Sequence, residues 1–267
     1  MTNEQIEVIK KKIKNAFKGL EFIEDTHTYT VEGSKMVSVT TYNKRYEEEF
    51  DEAFMAKMCA DKYNKENPGK PKRTALYYKM EWSKKRNEAC TSGTKTHKFA
   101  EDYTADSKAE NDKEQAVVEW NKMLDSKYIT LFDECRLYCK HLKRAGTADK
   151  ILLNTETGNL VIQDWKTNST NILQVYNGKK LKAPFDKLPC NALNKYAIQL
   201  STYQRMIENN TDLKVEALWI TWLKQGDYQI LDNGKDDKKY KIIKTDADID
   251  HTLFKQFAVK SLADKID

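Results

Sequence analysis

The sequence predicts an α/β fold built around a mixed sheet, in one domain. Helical periodicity dominates the chain up to about Ser126 and then gives way to a cluster of apolar strand-like runs interrupted by a single helical segment. Composition agrees. Of 267 residues, 33% are charged and 10% aromatic, with nine Gly and four Pro, which suits a chain that buries a core rather than a disordered or fibrous one.

Ile6, Ile9, Ile13 and Phe17 recur at helical spacing and predict an amphipathic helix over Glu4 to Phe17. Tyr29 and Val31, then Met36, Val37 and Val39, flank Glu32-Gly33-Ser34 and predict a β-hairpin. Helices are expected from about Tyr42 to Asn64 and from Thr74 to Ala89, separated by the breaker Asn67-Pro68-Gly69-Lys70-Pro71. A third helix should start at Ser92 to Thr94, whose hydroxyls suit an N-cap, and a fourth should cover Asp112 to Ser126. Strands follow at Ile129 to Lys140, Thr147 to Leu153 and Leu160 to Lys166. Leu193, Tyr196, Ala197, Leu200, Tyr203 and Ile207 then mark a core-facing helix, and VEALWITWL a further strand. A hairpin from DYQIL and KYKIIK and a last amphipathic helix over Ala247 to Lys265 complete the expectation.

The net charge of +5 is modest, so where the cations cluster matters more than their sum. Clusters stand at Lys10 to Lys12, Lys70 to Arg73, Lys84 to Arg86 and Lys179 to Lys182; several around one cleft would suit a polyanion. Tyr77, Tyr78 and Trp82 lie beside the third cluster, where they either stack on nucleic acid or pack between helices. Five cysteines without a C-x-x-C pair suggest free thiols in a reducing cytoplasm rather than a zinc site. The opening MTNEQIEVIKKK lacks the apolar core of a signal peptide, and no apolar run reaches membrane-spanning length.

The segment from Gly146 to Lys166 reads as two strands around the turn Thr155 to Gly158. If the hairpin is symmetric about that turn, Asp149 lies opposite Asp164, with the two carboxylates about 5 Å apart. At that separation they repel by roughly 3 kcal/mol at an effective dielectric near 20. A divalent cation would compensate. An ion cluster with Lys166, two residues beyond Asp164 and on its face, is the alternative, and it leaves one negative charge. Glu134 on the preceding strand would add another acid. His97 and Glu101 share a helical face, as do Gln199 and Tyr203.

In order along the chain, G-T-x-x-H-x-x-x-E (Gly93 to Glu101), the strand acid Glu134, G-x-x-D (Gly146 to Asp149), D-x-K (Asp164 to Lys166) and Q-x-x-x-Y (Gln199 to Tyr203) resemble the PD-(D/E)XK nuclease superfamily. Within it they are similar to the RecB-type branch that includes phage exonucleases; HTYTVEG and SVTTY upstream also look like that group. The resemblance implies a restriction-endonuclease-like mixed sheet flanked by helices, with a helical N-terminal portion and a β-hairpin. It divides the single domain, 1–267, into an N-terminal part (1–90), the core motifs (91–210) and C-terminal strands with a helix (211–267). It implies a metal-dependent deoxyribonuclease acting on DNA, exonuclease or structure-specific endonuclease, with an inert nucleic-acid-binding module as the remaining alternative.

By the same resemblance His97, Asp149, Asp164 and the backbone carbonyl of Trp165 hold Mg²⁺ or Mn²⁺, and Lys166 orients or activates the attacking water. Glu134 assists a second ion or water, while Gln199 and Tyr203 line the DNA channel or brace the site. The imidazole of His97 tilts the preference toward Mn²⁺. No iron–sulfur cluster is expected, because the branch that carries one needs three close cysteines after the Q-x-x-x-Y helix and none follows Cys190. A ring-shaped homo-oligomer or a recombination-protein partner, in an infected bacterial cytoplasm, is compatible with the resemblance.

Overall fold

A computed structural model describes residues 1–223, 249–251 and 253–266. It opens on α1 (Asn3–Ala16), started by a capping box in which Thr2 and Gln5 satisfy each other's backbone N–H groups. Ile9, Ile13 and Phe17 are buried, as their spacing required. Three short antiparallel strands follow, β1 (Leu20–Ile23), β2 (Thr28–Val31) and β3 (Ser34–Ser38). The helical stretch comprises α2 (Val39–Asn43), a 3₁₀ turn (Lys44–Tyr46), α3 (Glu52–Glu66), α4 (Ala75–Glu101) and α5 (Asp112–Met123).

The core strands are β4 (Tyr128–Cys139), β5 (Arg144–Asn154) and β6 (Leu160–Lys166), and α6 (Ala192–Asn210) leads to β7 (Val215–Leu223), β8 (Ile249–Asp250) and β9 (Phe254–Val259). Among the described residues these form one mixed nine-stranded sheet in the order β1-β2-β3-β5-β6-β7-β9-β8, with β4 on β5. The β3–β5 and β6–β7 pairs are parallel, the latter made possible by the α6 crossover, and the others antiparallel.

Successive residues of β6 serve opposite faces. Leu160 and Ile162 join a core with α1 and α6 through Ile13, Leu200, Tyr203 and Ile207. Val161 and Trp165 join a second core with α5 through Val117 and Trp120. A strand buried on both faces needs the continuous apolar run that Leu160-Val161-Ile162 supplies. Truncating one of these side chains to Ala would cost about 2–5 kcal/mol.

Four expectations are corrected. The stretch from Tyr42 is not one helix: α2 ends at Asn43, and α3 starts only at Glu52, capped by Asp51. The second and third helices are one, because α4 runs unbroken through Ser92 to Thr94. Ser92 is no cap there, since its carbonyl accepts a hydrogen bond from Thr96 Oγ1 inside the helix. Where the last helix was expected, the described residues form strands β8 and β9 and a 3₁₀ turn, Ala263–Lys265. Phe254 and Phe257, three apart, gave a helical signal but sit in the two different cores. The DYQIL and KYKIIK hairpin lies outside the described residues. No helix among those described is long and apolar enough to cross a membrane.

Candidate active site

β4 pairs with β5 along its whole length, which occupies one edge of β5. The other edge is divided: β3 takes Arg144 and Ala145, and β6 takes Lys150 to Leu153. Between these two partners the edge is open, and Asp149 stands in the opening. Its carboxylate accepts the backbone N–H of Trp165 at 2.7 Å, in place of the ladder that ends at Lys150 and Gln163.

The β5–β6 register carried one step further sets Asp149 opposite Asp164, as hairpin symmetry predicts. On the other side, Asp133 pairs with Lys150 and Cys135 with Ala148, so Glu134 faces Asp149. Three acids therefore lie in one row across β4, β5 and β6. Glu134 holds a left-handed backbone at φ 49° inside a strand, a conformation that costs a non-glycine residue roughly 1–3 kcal/mol and recurs at functional sites.

His97 reaches this row from α4. Its Nδ1 is 3.4 Å from Asp149 Oδ2 and 4.0 Å from Glu134 Oε1. The approach depends on Gly93, one turn earlier, where a Cβ would stand 3.2 Å from Thr167 Oγ1 just past β6. His97, Glu134 and Asp149 each offer a ligand atom within 4.8 Å of the others, and all three are half-buried.

Asp164 stands outside that trio. It is fully buried; the Lys166 ammonium holds Oδ2, and Oδ1 has no hydrogen-bond partner. Lys166 is held from its other side by the ring of Tyr196, 4.4 Å from the ring centroid. Tyr196 in turn donates to Asn168 Oδ1 at 2.8 Å, and Asn168 accepts Trp222 Nε1 through its carbonyl. Sequence reasoning treated Tyr196 as core alone; its place one turn before Gln199, on the face that carries Tyr203, was the available signal.

Gln199 donates to the Tyr203 hydroxyl at 3.3 Å, and both are buried. Tyr203 lies against Gly146, where a Cβ would come within 2.8 Å of its ring and hydroxyl. Glu101 pairs with Lys98 and remains close enough for its charge to help raise Glu134. The Trp165 side chain is packed edge-on against Trp120, on the face opposite α6.

The electrostatics follow from burial and crowding. Asp149 lifts His97 to about 9 against the effect of burial, so the imidazole is protonated at pH 7. Burial first, then Asp149, lifts Glu134 to about 7 and Asp164 to about 6. Burial works against the charge of Asp149, but His97, Lys166 and the Trp165 N–H outweigh it and hold its pKa below the usual value. Burial likewise works against Lys166, but Asp164 and Asp149 keep it an ammonium. His97 and Lys166 thus set two positive charges against the repulsion expected from sequence.

The residues fit a divalent cation on two observations: two carboxylates and an imidazole converge, and a fourth group, the buried Asp164 carboxylate, has one oxygen, Oδ1, without a hydrogen-bond partner. Hard oxygen donors with one imidazole suit Mg²⁺ or Mn²⁺. The resemblance named His97, Asp149 and Asp164 as ligands; the geometry brings Glu134 into the trio and leaves Asp164 with Lys166. No protein-family model and no curated protein matches the chain.

Proposed function

We propose that the chain is a Mg²⁺- or Mn²⁺-dependent deoxyribonuclease of the exonuclease kind, serving phage replication or recombination in the cytoplasm of an infected bacterium. The observation that carries this reading is the row Glu134, Asp149 and Asp164 on adjacent strands, with Lys166 two residues beyond and His97 brought against it. A structural ion cluster needs neither a left-handed Glu134 nor a buried carboxylate oxygen, Asp164 Oδ1, left without a partner.

His97, Glu134 and Asp149 would hold the ion, completed by Asp164 and the Trp165 carbonyl. When bound, such an ion lowers the pKa of its water and neutralises charge on the phosphate. Lys166, an ammonium, has no lone pair to accept a proton; it orients the attacking water and faces the negative charge that develops on the phosphoryl oxygens. Tyr196 fixes its direction. Gln199 and Tyr203 keep the floor of the site rigid. No iron–sulfur cluster belongs to this reading, and DNA is the partner, with a homo-oligomer or a recombination protein as further ones.

The test uses end-labelled linear duplex and covalently closed circular DNA, each in Mg²⁺, Mn²⁺ and EDTA. Metal-dependent loss of the linear form alone, faster in Mn²⁺, is the expected result. Cutting of the closed circle would replace the exonuclease with a structure-specific endonuclease. Retention of DNA without cleavage in either metal would leave an inert binding module.

A further inference from the structure

The helix that delivers His97 extends far beyond the site. Every residue of α4 from Ser83 to Thr91 is exposed, so this stretch buries no side chain and bridges solvent. Within it Arg86 reaches another element, by an ion pair with Glu52 of α3; beyond it the first turns of α4 pack against α3 at Ala56 and Ala60, and Arg73, just before α4, is hydrogen-bonded to Asn64. The α3–α4 hairpin is therefore an arm. From Leu76 to His97 it measures about 32 Å along the helix axis at ~1.5 Å per residue.

Its surface is unlike the rest of the chain. Between positions 51 and 91 there are ten Lys and Arg against six Asp and Glu, so the arm holds +4 of the net +5. Among the described residues Lys57, Lys65, Lys79, Lys84 and Lys85 form no ion pair. Interleaved with them, Phe54, Met55, Met58, Leu76, Tyr77 and Met80 are exposed. Leu76, Met80 and Lys84 succeed one another every four residues on one face of α4, as Phe54, Met58 and Lys62 do on α3. Tyr78 and Trp82 are half-buried within the hairpin, 6.2 Å apart.

We infer that this arm grips a single strand of nucleic acid on its way to the site. Lysines alone would suit any phosphate backbone; exposed apolar and aromatic side chains between them suit the flat faces of unpaired bases, which a duplex keeps stacked inside. The span from arm to site matches about nine nucleotides at the ~3.4 Å spacing of a stacked strand. The arm rests on the nuclease reading for the destination of the strand, though not for its binding.

The probe is a fluorescent single-stranded oligodeoxynucleotide of about 20 nucleotides beside one of about six, spanning the reach above, titrated in EDTA against wild type and Leu76→Ser/Met80→Ser/Lys84→Ser. These side chains are exposed, so circular dichroism and thermal midpoint should stay at wild-type values. Phe54→Ser/Met58→Ser on the other helix gives an independent variant. Binding of the longer strand should weaken about tenfold in each variant, in line with one lost stacking contact at Phe54 in the second and with a lost cation and two apolar contacts in the first. Wild type should bind the longer strand more tightly than the shorter, which cannot reach from arm to site. Unchanged affinity for the longer strand overturns the inference. So does a change confined to molecular mass in sedimentation, which would make the arm a contact between copies. Arm-dependent binding without cleavage in Mg²⁺ or Mn²⁺ supports the arm and removes the nuclease. Cleavage with wild-type affinity in both variants does the reverse.

Discussion

Glu134 and His97 hold protons at pH values where free side chains would not, and this has a sign. His97 is raised from 6.5 to about 9, Glu134 from 4.5 to about 7 and Asp164 from 3.8 to about 6, so each binds its proton more tightly in the folded chain. Their contribution to stability is complete below the unfolded values and is lost as pH rises through the folded ones. Asp149 is lowered and acts in the opposite sense, with its contribution lost only as pH falls below its ordinary 3.8. The thermal midpoint in EDTA should therefore be lower at pH 9 than at pH 6; a higher one would contradict this charge arrangement. Added Mn²⁺ should raise the midpoint more at pH 9, because binding releases the His97 proton. Glu134→Gln removes a carboxylate beside Asp149, so it should raise the midpoint in EDTA at pH 8 and reduce the gain from Mn²⁺. Turn symmetry alone made the Asp149–Asp164 pairing legible. Glu134 was legible only as a nearby acid, because the register of β4 shifts between Thr130 and Phe132 and nothing in the residues announces a bulge.

Two glycines join the elements around the site. At Gly146 an added Cβ meets Tyr203 at 2.8 Å, against a ring that is buried and braced by Gln199. Gly146→Ala should cost about 1–3 kcal/mol and lower the thermal midpoint by several degrees. At Gly93 the contact with Thr167 Oγ1 is 3.2 Å, looser and polar. Gly93→Ala should leave the fold intact but displace α4 and His97, lowering kcat, and Thr167→Ala should restore it; no rescue would sever the link between that contact and the site. Strand–turn–strand from β5 to β6 was readable because two short apolar runs flank a turn, and the amphipathic α1 and α6 because each keeps one apolar stripe. The unbroken α4 was not, because Ser92-Gly93-Thr94 reads as a helix start while its glycine serves close packing. β9 was not, because a strand buried on both faces can mimic the spacing of a helix.

At the scale of the molecule, the site exists because β5 has three partners on two edges, and the opening between β3 and β6 admits Asp149, the Trp165 N–H and His97. That division of an edge depends on long-range pairing, which local periodicity does not encode, although the order of motifs along the chain anticipated which side chains would meet. It also explains why α4 can be both a wall of the site and the base of a basic arm. The measurement that bears most directly on the central claim is the rate at which Asp164→Asn degrades end-labelled linear duplex in Mn²⁺, beside wild type and with circular dichroism showing both folded. Loss of several kcal/mol of transition-state stabilisation predicts a fall of at least about a hundredfold. Equal rates would contradict the assignment of the row Glu134, Asp149 and Asp164 as the catalytic centre.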